Sequence, residues 1–421
     1  MFKNKKNILF SVIILICFVS CTKFKETKSA LKSDINFDHF NHLYKEIDFK
    51  DTKVGIVHIY SQYPNYEYAI EPKEGFTCVD DVARAIVMLS KYLKENKKDD
   101  EAFNKLKKLT EFVLQMQNEN GYFNNFIWND LTINTTYKTS VAELNWWSLR
   151  ALWSLETTYD LLKSDKNFVR RIEVATKKLL VNIKRDLPTT DLKTEIVETI
   201  KVPTWLPQKY ASDQSALLIL GLLKNYKRTA DNDVKLLIDA LAKGIMIMQK
   251  GDSSEYPYGA FLSWKNLWHA WGNSQAYALL KAGQEFNNQN YIDSALREID
   301  NFYPYLLKKG FAEAFWIKKT EENSYTEIKR SSYPQIVYGL RPMIWAASEA
   351  YQYSKEEKYL NLVLDLESWL LGNNDAKSSI YNSSTGVSFD GIISPKEINK
   401  NSGAESTIES LLIFLETQKL N

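Results

Sequence analysis

The chain has 421 residues, 44% of them hydrophobic, and its 54 Lys and Arg against 52 Asp and Glu leave a formal charge of +2. A chain this long can bury a large core, and so small a charge gives no electrostatic lean toward nucleic acid or acidic polymers. Of three cysteines, Cys17 and Cys21 fall in the N-terminal segment, and Cys78 alone builds neither a disulfide framework nor a cysteine zinc site.

In chain order, Lys3, Lys5 and Lys6 precede an apolar run from Ile8 to Val19 that meets Ser20 and Cys21, the pattern of an export signal. The run is shorter than the roughly 20 apolar residues of a membrane span. Phe18-Val19-Ser20-Cys21 resembles the lipobox of bacterial lipoproteins, with Phe18 where leucine is more usual. That resemblance implies cleavage of residues 1–20 and lipidation of Cys21; an ordinary secretory signal or a signal anchor is the alternative. Residues 21–36 then read as a tether and 37–421 as one domain. The expected location is the cell envelope, on a membrane through Cys21, facing the periplasm or the exterior.

The domain is organised by an internal repeat. Six segments start with a small or polar residue, carry Asp, Glu or Gln three places on, and run into apolar residues at helical spacing. They are Thr77 to Asp80, Ser140 to Glu143, Ala211 to Gln214, Gly272 to Gln275, Ser332 to Gln335 and Ser402 to Glu405. Successive last positions step by 63, 71, 61, 60 and 70 residues. Ser or Thr followed by an acid or amide predicts a capping box at four of these starts. Ala211 and Gly272 lack the hydroxyl.

More amphipathic helices are expected between the starts, over Ala102 to Gln117, Asn167 to Ile183, Asp233 to Gln249, Tyr291 to Lys308 and Lys358 to Leu371, with charged faces in water. A short helix around Phe37 to Ile47 completes the set. The capped helices are apolar on more than one side, as in Leu217 to Leu223, which places them inside. Six inner and six outer helices closed into a ring give an all-α (α/α)6 toroid. No strand-like alternation persists, so very little β structure is expected.

With Gly75-Phe-Thr-Cys-Val-Asp80-Asp81-Val-Ala-Arg84-Ala and Asn401-Ser-Gly-Ala-Glu405-Ser-Thr, this organisation resembles the six-hairpin glycosidase superfamily. The resemblance spans nearly the whole mature chain, and no catalytic signature of one family is complete. It implies a carbohydrate cleft at the end of the ring where the inner helices begin. Fold alone does not establish a reaction.

The loops leading to those helix starts are rich in aromatics, including Phe126, Trp128, Trp205, Tyr258, Trp264 and Trp268. Flat rings stack on the C–H faces of sugars, and Trp128, Trp205, Tyr258, Trp264, Trp268 and Tyr333 are the candidate substrate contacts. The competing reading is that large side chains fill the loops of a thick toroid.

Glycoside hydrolysis needs two carboxyl groups, and the candidates are Asp80, Asp81, Glu143, Asp213 and Glu405. Asp80, Glu143 and Glu405 stand at the capping position, which backbone satisfaction and the helix dipole already explain. Asp81 differs, since the matching places hold Leu144, Ser215, Ala276, Ile336 and Ser406. Asp81 is therefore the first choice as acid or base, with Glu405, brought near by ring closure, as its partner and Glu143 or Asp213 behind. A plain Asp81–Arg84 salt bridge is the alternative.

Other chemistries are weighed by what is missing. The DDxxD motif of ionising terpene synthases has Arg84 in its last place, and the DxDD of protonating cyclases has Cys78 in its first. Sugar 2-epimerases on this barrel rely on paired histidines, and only His269 falls near an inner helix. A lyase keeps Tyr333 with Arg330 or Arg341, and His269, in play. His39, His42 and His58 are the remaining histidines, without the spacing of a histidine metal site; no metal or cofactor is expected, although carboxylates alone can hold calcium. A glycan-binding lipoprotein without turnover, serving an uptake system, is the alternative to an enzyme.

Overall fold

The computed structural model describes residues 35–321 and 324–420. The signal, Cys21 and the tether up to residue 34 lie outside them. No helix among the described residues is long and apolar enough to cross a membrane.

Twelve α-helices are described, in pairs: α1 (Asp38–Leu43) and α2 (Val79–Glu95), α3 (Asp100–Gln115) and α4 (Trp146–Leu162), α5 (Lys166–Asp186) and α6 (Ser212–Thr229), α7 (Asn232–Met248) and α8 (Gln275–Phe286), α9 (Gln289–Lys309) and α10 (Val337–Ser354), α11 (Glu357–Glu367) and α12 (Ala404–Thr417). The even-numbered helices form the inner ring. Each packs on the next, and α12 returns to α2, which closes the circle. The odd-numbered helices lie outside, α3, α5, α7, α9 and α11 each against the inner helix before it and α1 against α12.

Burial explains the sorting. In α6 every residue from Ser212 to Leu223 is buried, because a helix apolar on all sides must be enclosed. Full burial of each such leucine stabilises the fold by roughly 1.5–3 kcal/mol relative to exposure. A Cβ at Gly221 would meet Leu152 and the backbone nitrogen of Trp153 at 3.0 and 3.1 Å, so this glycine lets α6 lie close against α4. On α9, by contrast, Ile292, Ala295, Ile299, Phe302 and Leu306 make one inward stripe at three- and four-residue spacing.

The predicted outer helices match within a few residues, save that α11 stops at Glu367 rather than Leu371. The helix starts do not follow the predicted capping boxes. Cys78 caps α2 in place of Thr77, Asn145 caps α4, and α6, α8, α10 and α12 have no side-chain cap from their own N-cap residue. Ser140 instead accepts from the backbone N–H groups of Asn125 and Phe126, which leaves α4 to begin six residues later.

The first outer helix is also shorter than expected. Tyr44–Phe49 turns back on Thr52–Val57 as an antiparallel hairpin, with Lys50 and Asp51 at φ +47° and +60°, the geometry of a two-residue primed turn. Val54, Ile56 and Val57 are buried against α3, and that packing outweighs helix propensity. Other short strands, none longer than seven residues, pair within the connections, mostly as two-stranded hairpins, so the β structure is local to the loops.

Candidate active site

A cavity of about 320 Å³ opens where the inner helices begin, and Asp80, Asp81 and Arg84 of α2, Tyr338 of α10 and Glu405 of α12 line it. Its far wall comes from the connection before α2, where Tyr60 donates to Glu74 at 2.7 Å.

The first turn of α2 sets the geometry. The Cys78 sulfur accepts the Asp81 N–H at 3.4 Å and its thiol donates to Asp81 Oδ2 at 3.3 Å. The Asn125 side chain accepts the Asp80 N–H at 3.1 Å. Two acids in this turn face the positive end of the helix dipole. On α12 the equivalent cap is delivered from a distance: Asp390 Oδ1 accepts from the Gly403 N–H at 2.8 Å and from Ser406 Oγ at 2.7 Å. Burial pushes the Asp390 carboxyl up against those two bonds.

Arg84 joins the two helices. Its Nη1 donates to Asp81 at 2.7 Å, its Nη2 to Glu405 at 2.5 Å and its Nε to Glu409 at 3.0 Å. Glu409 is fully buried and accepts again from Arg341 Nε at 2.6 Å. Burial works against the Arg84 charge, but Glu405, Asp81 and Glu409 together hold its pKa well above the ordinary value. A second chain runs beside it. Arg150 Nε lies 2.8 Å from Asp80 Oδ1, a contact of charge rather than an aligned hydrogen bond, and Arg150 Nη2 donates to the Tyr338 hydroxyl at 2.7 Å. The Tyr338 ring has three guanidinium carbons around it, Arg84 at 4.8 Å, Arg150 at 5.0 Å and Arg341 at 5.4 Å. Gly272, at φ +69°, borders the same tyrosine, since a Cβ there would meet Trp146 at 2.8 Å and the Tyr338 hydroxyl at 3.0 Å.

The carboxyl groups differ in environment. Asp81 is buried, with one oxygen committed to Arg84 and the other to Cys78; burial raises its pKa and the Arg84 charge opposes that. Glu405 keeps 40% of its side-chain surface open to the cavity. It nonetheless sits below the rim with protein around it, and desolvation, opposed by Arg84 and aided by Asp81 and Glu409, pushes it up to about 7. Asp80 keeps 22% of its side chain open. The first-choice Asp81 is thus the anchor of Arg84, while Asp80 and Glu405 face the open space.

Ring closure brings Asp80, Asp81 and Glu405 together as expected, but not the other two acids. Glu143 precedes α4 and accepts from the Asn145 side chain at 2.9 Å. Asp213 is buried and pairs with His269 Nε2 at 2.9 Å, and the His269 ring stacks on Trp271 at 3.8 Å. Neither lines the cavity.

The aromatic candidates are corrected more heavily. Trp205 and Trp268 are core residues, Trp205 donating to the Ala240 carbonyl and Trp268 stacked on Phe315 at 5.0 Å. Tyr258 packs on Tyr305 at 4.8 Å, Trp264 meets Tyr210 and Lys265, and Tyr333 donates to Asp375. Trp128 lies half-buried in its loop. None of the six lines the cavity, whereas Tyr60, Phe126 and Tyr338 do. The lyase set is dispersed too, with Arg330 on Glu327, Arg341 on Glu409 and His269 on Asp213. Contrary to the scattered reading of the histidines, His39 and His42 stack at 5.6 Å and His58 lies on Tyr68 at 3.7 Å, yet no group able to hold a metal forms among the described residues.

Sequence reasoning missed Tyr338, placed Arg341 only in the lyase set, and missed Arg150 and Glu409. Their signal was charge inside apolar helical windows, as in Leu149-Arg150-Ala151 and Ile408-Glu409-Ser410, since charges are buried only when paired.

No protein-family model matches the chain, and no curated protein is recognisably similar to it in sequence. Solved structures do match. The cellobiose 2-epimerase of Bacillus thermoamylovorans B4167 superposes with a TM-score of 0.64 at 12% identity, over 94% of this chain and 99% of that one. A sugar epimerase from a ruminal bacterium gives 0.63 at 12% identity, over 94% and 99%. A GH76 α-mannanase of Bacteroides thetaiotaomicron gives 0.54 at 10% identity, over 94% of each chain. The fold these share with this chain is a toroid of six helical hairpins. At such identities the likeness is one of fold.

Proposed function

We propose that the chain is a glycoside hydrolase whose acid–base pair is Glu405 and Asp80. The observation that carries this is the meeting of two buried guanidiniums at the mouth of a toroid, Arg84 on Asp81 and Glu405 and Arg150 beside Asp80, with Asp80 and Glu405 facing a cavity large enough for a sugar. Arg84 bridges α2 and α12, which sets Glu405 beside the helix turn that carries Asp80.

Glu405, held up to about 7, carries a proton in part of the population at neutral pH and gives it to the glycosidic oxygen as the bond to the anomeric carbon breaks. Asp80, steadied by Arg150, acts on the opposite side, on water or on the anomeric carbon itself. Where water attacks, its oxygen becomes the new hydroxyl and Asp80 takes its proton. Asp81 positions Arg84. Tyr60, 36% exposed on the cavity wall, offers a ring face to the sugar.

The mannanase among the structural neighbours makes mannan oligosaccharides the first substrates to try, and the epimerases make β-linked disaccharides the second. Incubating the purified protein with such a panel and assaying new reducing ends tests the reading. Epimerisation would change the sugar without creating reducing ends, and a binding protein would retain the glycan unchanged. From the export signal and lipobox resemblance, we place the protein in the cell envelope on a lipidated Cys21; radiolabelled palmitate incorporation, lost on Cys21→Ala, tests that.

A further inference from the structure

The opposite end of the ring, where the inner helices finish, holds a second cavity of about 220 Å³. Its floor is aromatic. Trp345 meets Trp153 edge-on at 6.1 Å and Tyr277 at 5.3 Å. Its wall is cationic: Lys91 and Lys94 from α2, Lys224 and Lys227 from α6, Lys281 from α8 and Lys419 from the turn after α12 all line it, against two acids, Glu349 and Glu416.

The ion pairs do not balance this charge. Glu416 takes Lys91 at 2.5 Å and Lys419 at 3.7 Å, Glu349 takes Lys281 at 3.0 Å, and Lys227 reaches Glu285 at 2.7 Å. Among the described residues, Lys94 and Lys224 have no carboxylate within ion-pair distance. Burial first, and then the like charges of Lys94, Lys227, Lys281 and Lys91, hold Lys224 down to about 8. Lysines near helix C-termini are favoured by the dipole, which accounts for one or two at each helix end. A dipole does not gather six of them from four parts of the ring around one aromatic-floored cavity, two of them unpaired.

We propose that this cavity is an anion site for a phosphate group, either free or borne on a sugar. Lysine ammonium groups bind phosphate as point charges from several directions, and a concave site walled by low-dielectric protein strengthens their field. Lys91 lies over the ring of buried Trp345 at 4.2 Å, so the aromatic floor holds the ammonium in place. The site is separate from the acid–base cavity, and its failure would leave the proposed hydrolysis untouched.

The test is calorimetric titration of the full protein with inorganic phosphate, glucose 6-phosphate and glucose at constant low ionic strength. Saturable binding of phosphate is expected, weakened at least tenfold in Lys224→Met and in Lys94→Met and unchanged in Lys178→Met on outer helix α5. Lys94 is exposed, so its variant folds even if Lys224→Met does not. Tighter binding of glucose 6-phosphate than of phosphate assigns the sugar-borne form, and equal binding assigns free phosphate. Absence of saturation with both phosphates, displacement by chloride at equal ionic strength, or the same loss in Lys178→Met as in Lys94→Met would overturn the proposal.

Discussion

Arg84 on the first inner helix donates to Glu405 on the last at 2.5 Å, across the seam where the ring closes. The two residues are 321 positions apart in sequence. One guanidinium therefore ties the ends of the toroid together and sets the electrostatics of the proposed acid, so the first predictions concern this pair.

Glu405→Gln keeps the hydrogen bond to Arg84 and removes the transferable proton. Positioned acid–base groups contribute roughly 10²–10⁴ in rate, and kcat for a glycan substrate is expected to fall by that order while the ligand still binds. The pH profile carries a sign. An acid with a pKa of about 7 is protonated below that value, so kcat falls as pH rises through it. Leaving groups that need no protonation, such as nitrophenolate, should be least affected by the variant.

Arg84→Met leaves Asp81 and Glu409 buried without one of their cations. Breaking a buried pair by removing one partner destabilises by roughly 3–5 kcal/mol, and urea unfolding should report a loss of that size. Restoring Asp81→Asn in the same chain should recover part of it, because one stranded charge is then gone. A loss under 1 kcal/mol would mean that water reaches this seam.

The two adjacent aspartates separate by role. Asp80→Asn should abolish turnover at a smaller cost in melting temperature, since its side chain is partly open to the cavity and Asn keeps an oxygen beside Arg150. Asp81→Asn should lower both, since Asp81 holds Arg84 and accepts from the Cys78 thiol. It should also shift the alkaline limb of the pH profile, because Asp81 is one of the charges that raises Glu405.

Aromatic substitutions divide in the same way. Tyr60→Ala is expected to raise KM several-fold with normal folding, by loss of a sugar contact. Trp205→Ala and Trp268→Ala should instead destabilise by about 3–5 kcal/mol, the cost of a large core cavity. Their KM, measured below the melting transition, should stay within twofold of wild type.

Far from the cavity, Glu298 is buried, accepts from the Phe261 N–H at 2.8 Å and from Tyr303, and is pushed up to about 8 by desolvation. Its folded value exceeds the unfolded one near 4.3, so the native state holds the extra proton between them. Stability then falls as pH rises from about 5 to 8, by up to roughly 1.4 kcal/mol per unit from this group. Glu298→Gln should flatten that slope in thermal unfolding across the window.

The ring was legible because its signal is repetitive: Asp80, Glu143, Gln214, Gln275, Gln335 and Glu405 recur at 60 to 71 residues, and each marks the neighbourhood of an inner helix. The caps were not, because the residues that satisfy those helix ends come from elsewhere. Asp390 caps α12 from 13 positions upstream of Gly403, and no local pattern announces it. The hairpin after α1 was hidden by a turn of Lys50 and Asp51, which lacks the usual Asn or Gly. Asp81 stood out as the acid that capping does not explain, yet it exchanges hydrogen bonds with the capping Cys78 and holds Arg84. The tryptophans misled because composition cannot tell a loop that fills a core, as at Trp205 and Trp268, from one that lines a cleft.

The most direct test of the acid–base pair is reducing-end release from a mannan and β-glucan oligosaccharide panel by wild type, Asp80→Asn and Glu405→Gln at pH 6. The proposed acid–base pair predicts new reducing ends with the wild type on at least one glycan and a loss of at least a hundredfold in each variant, with all three folded. Turnover by either variant at the wild-type rate, or a glycan altered by the wild type without any new reducing end, would contradict it.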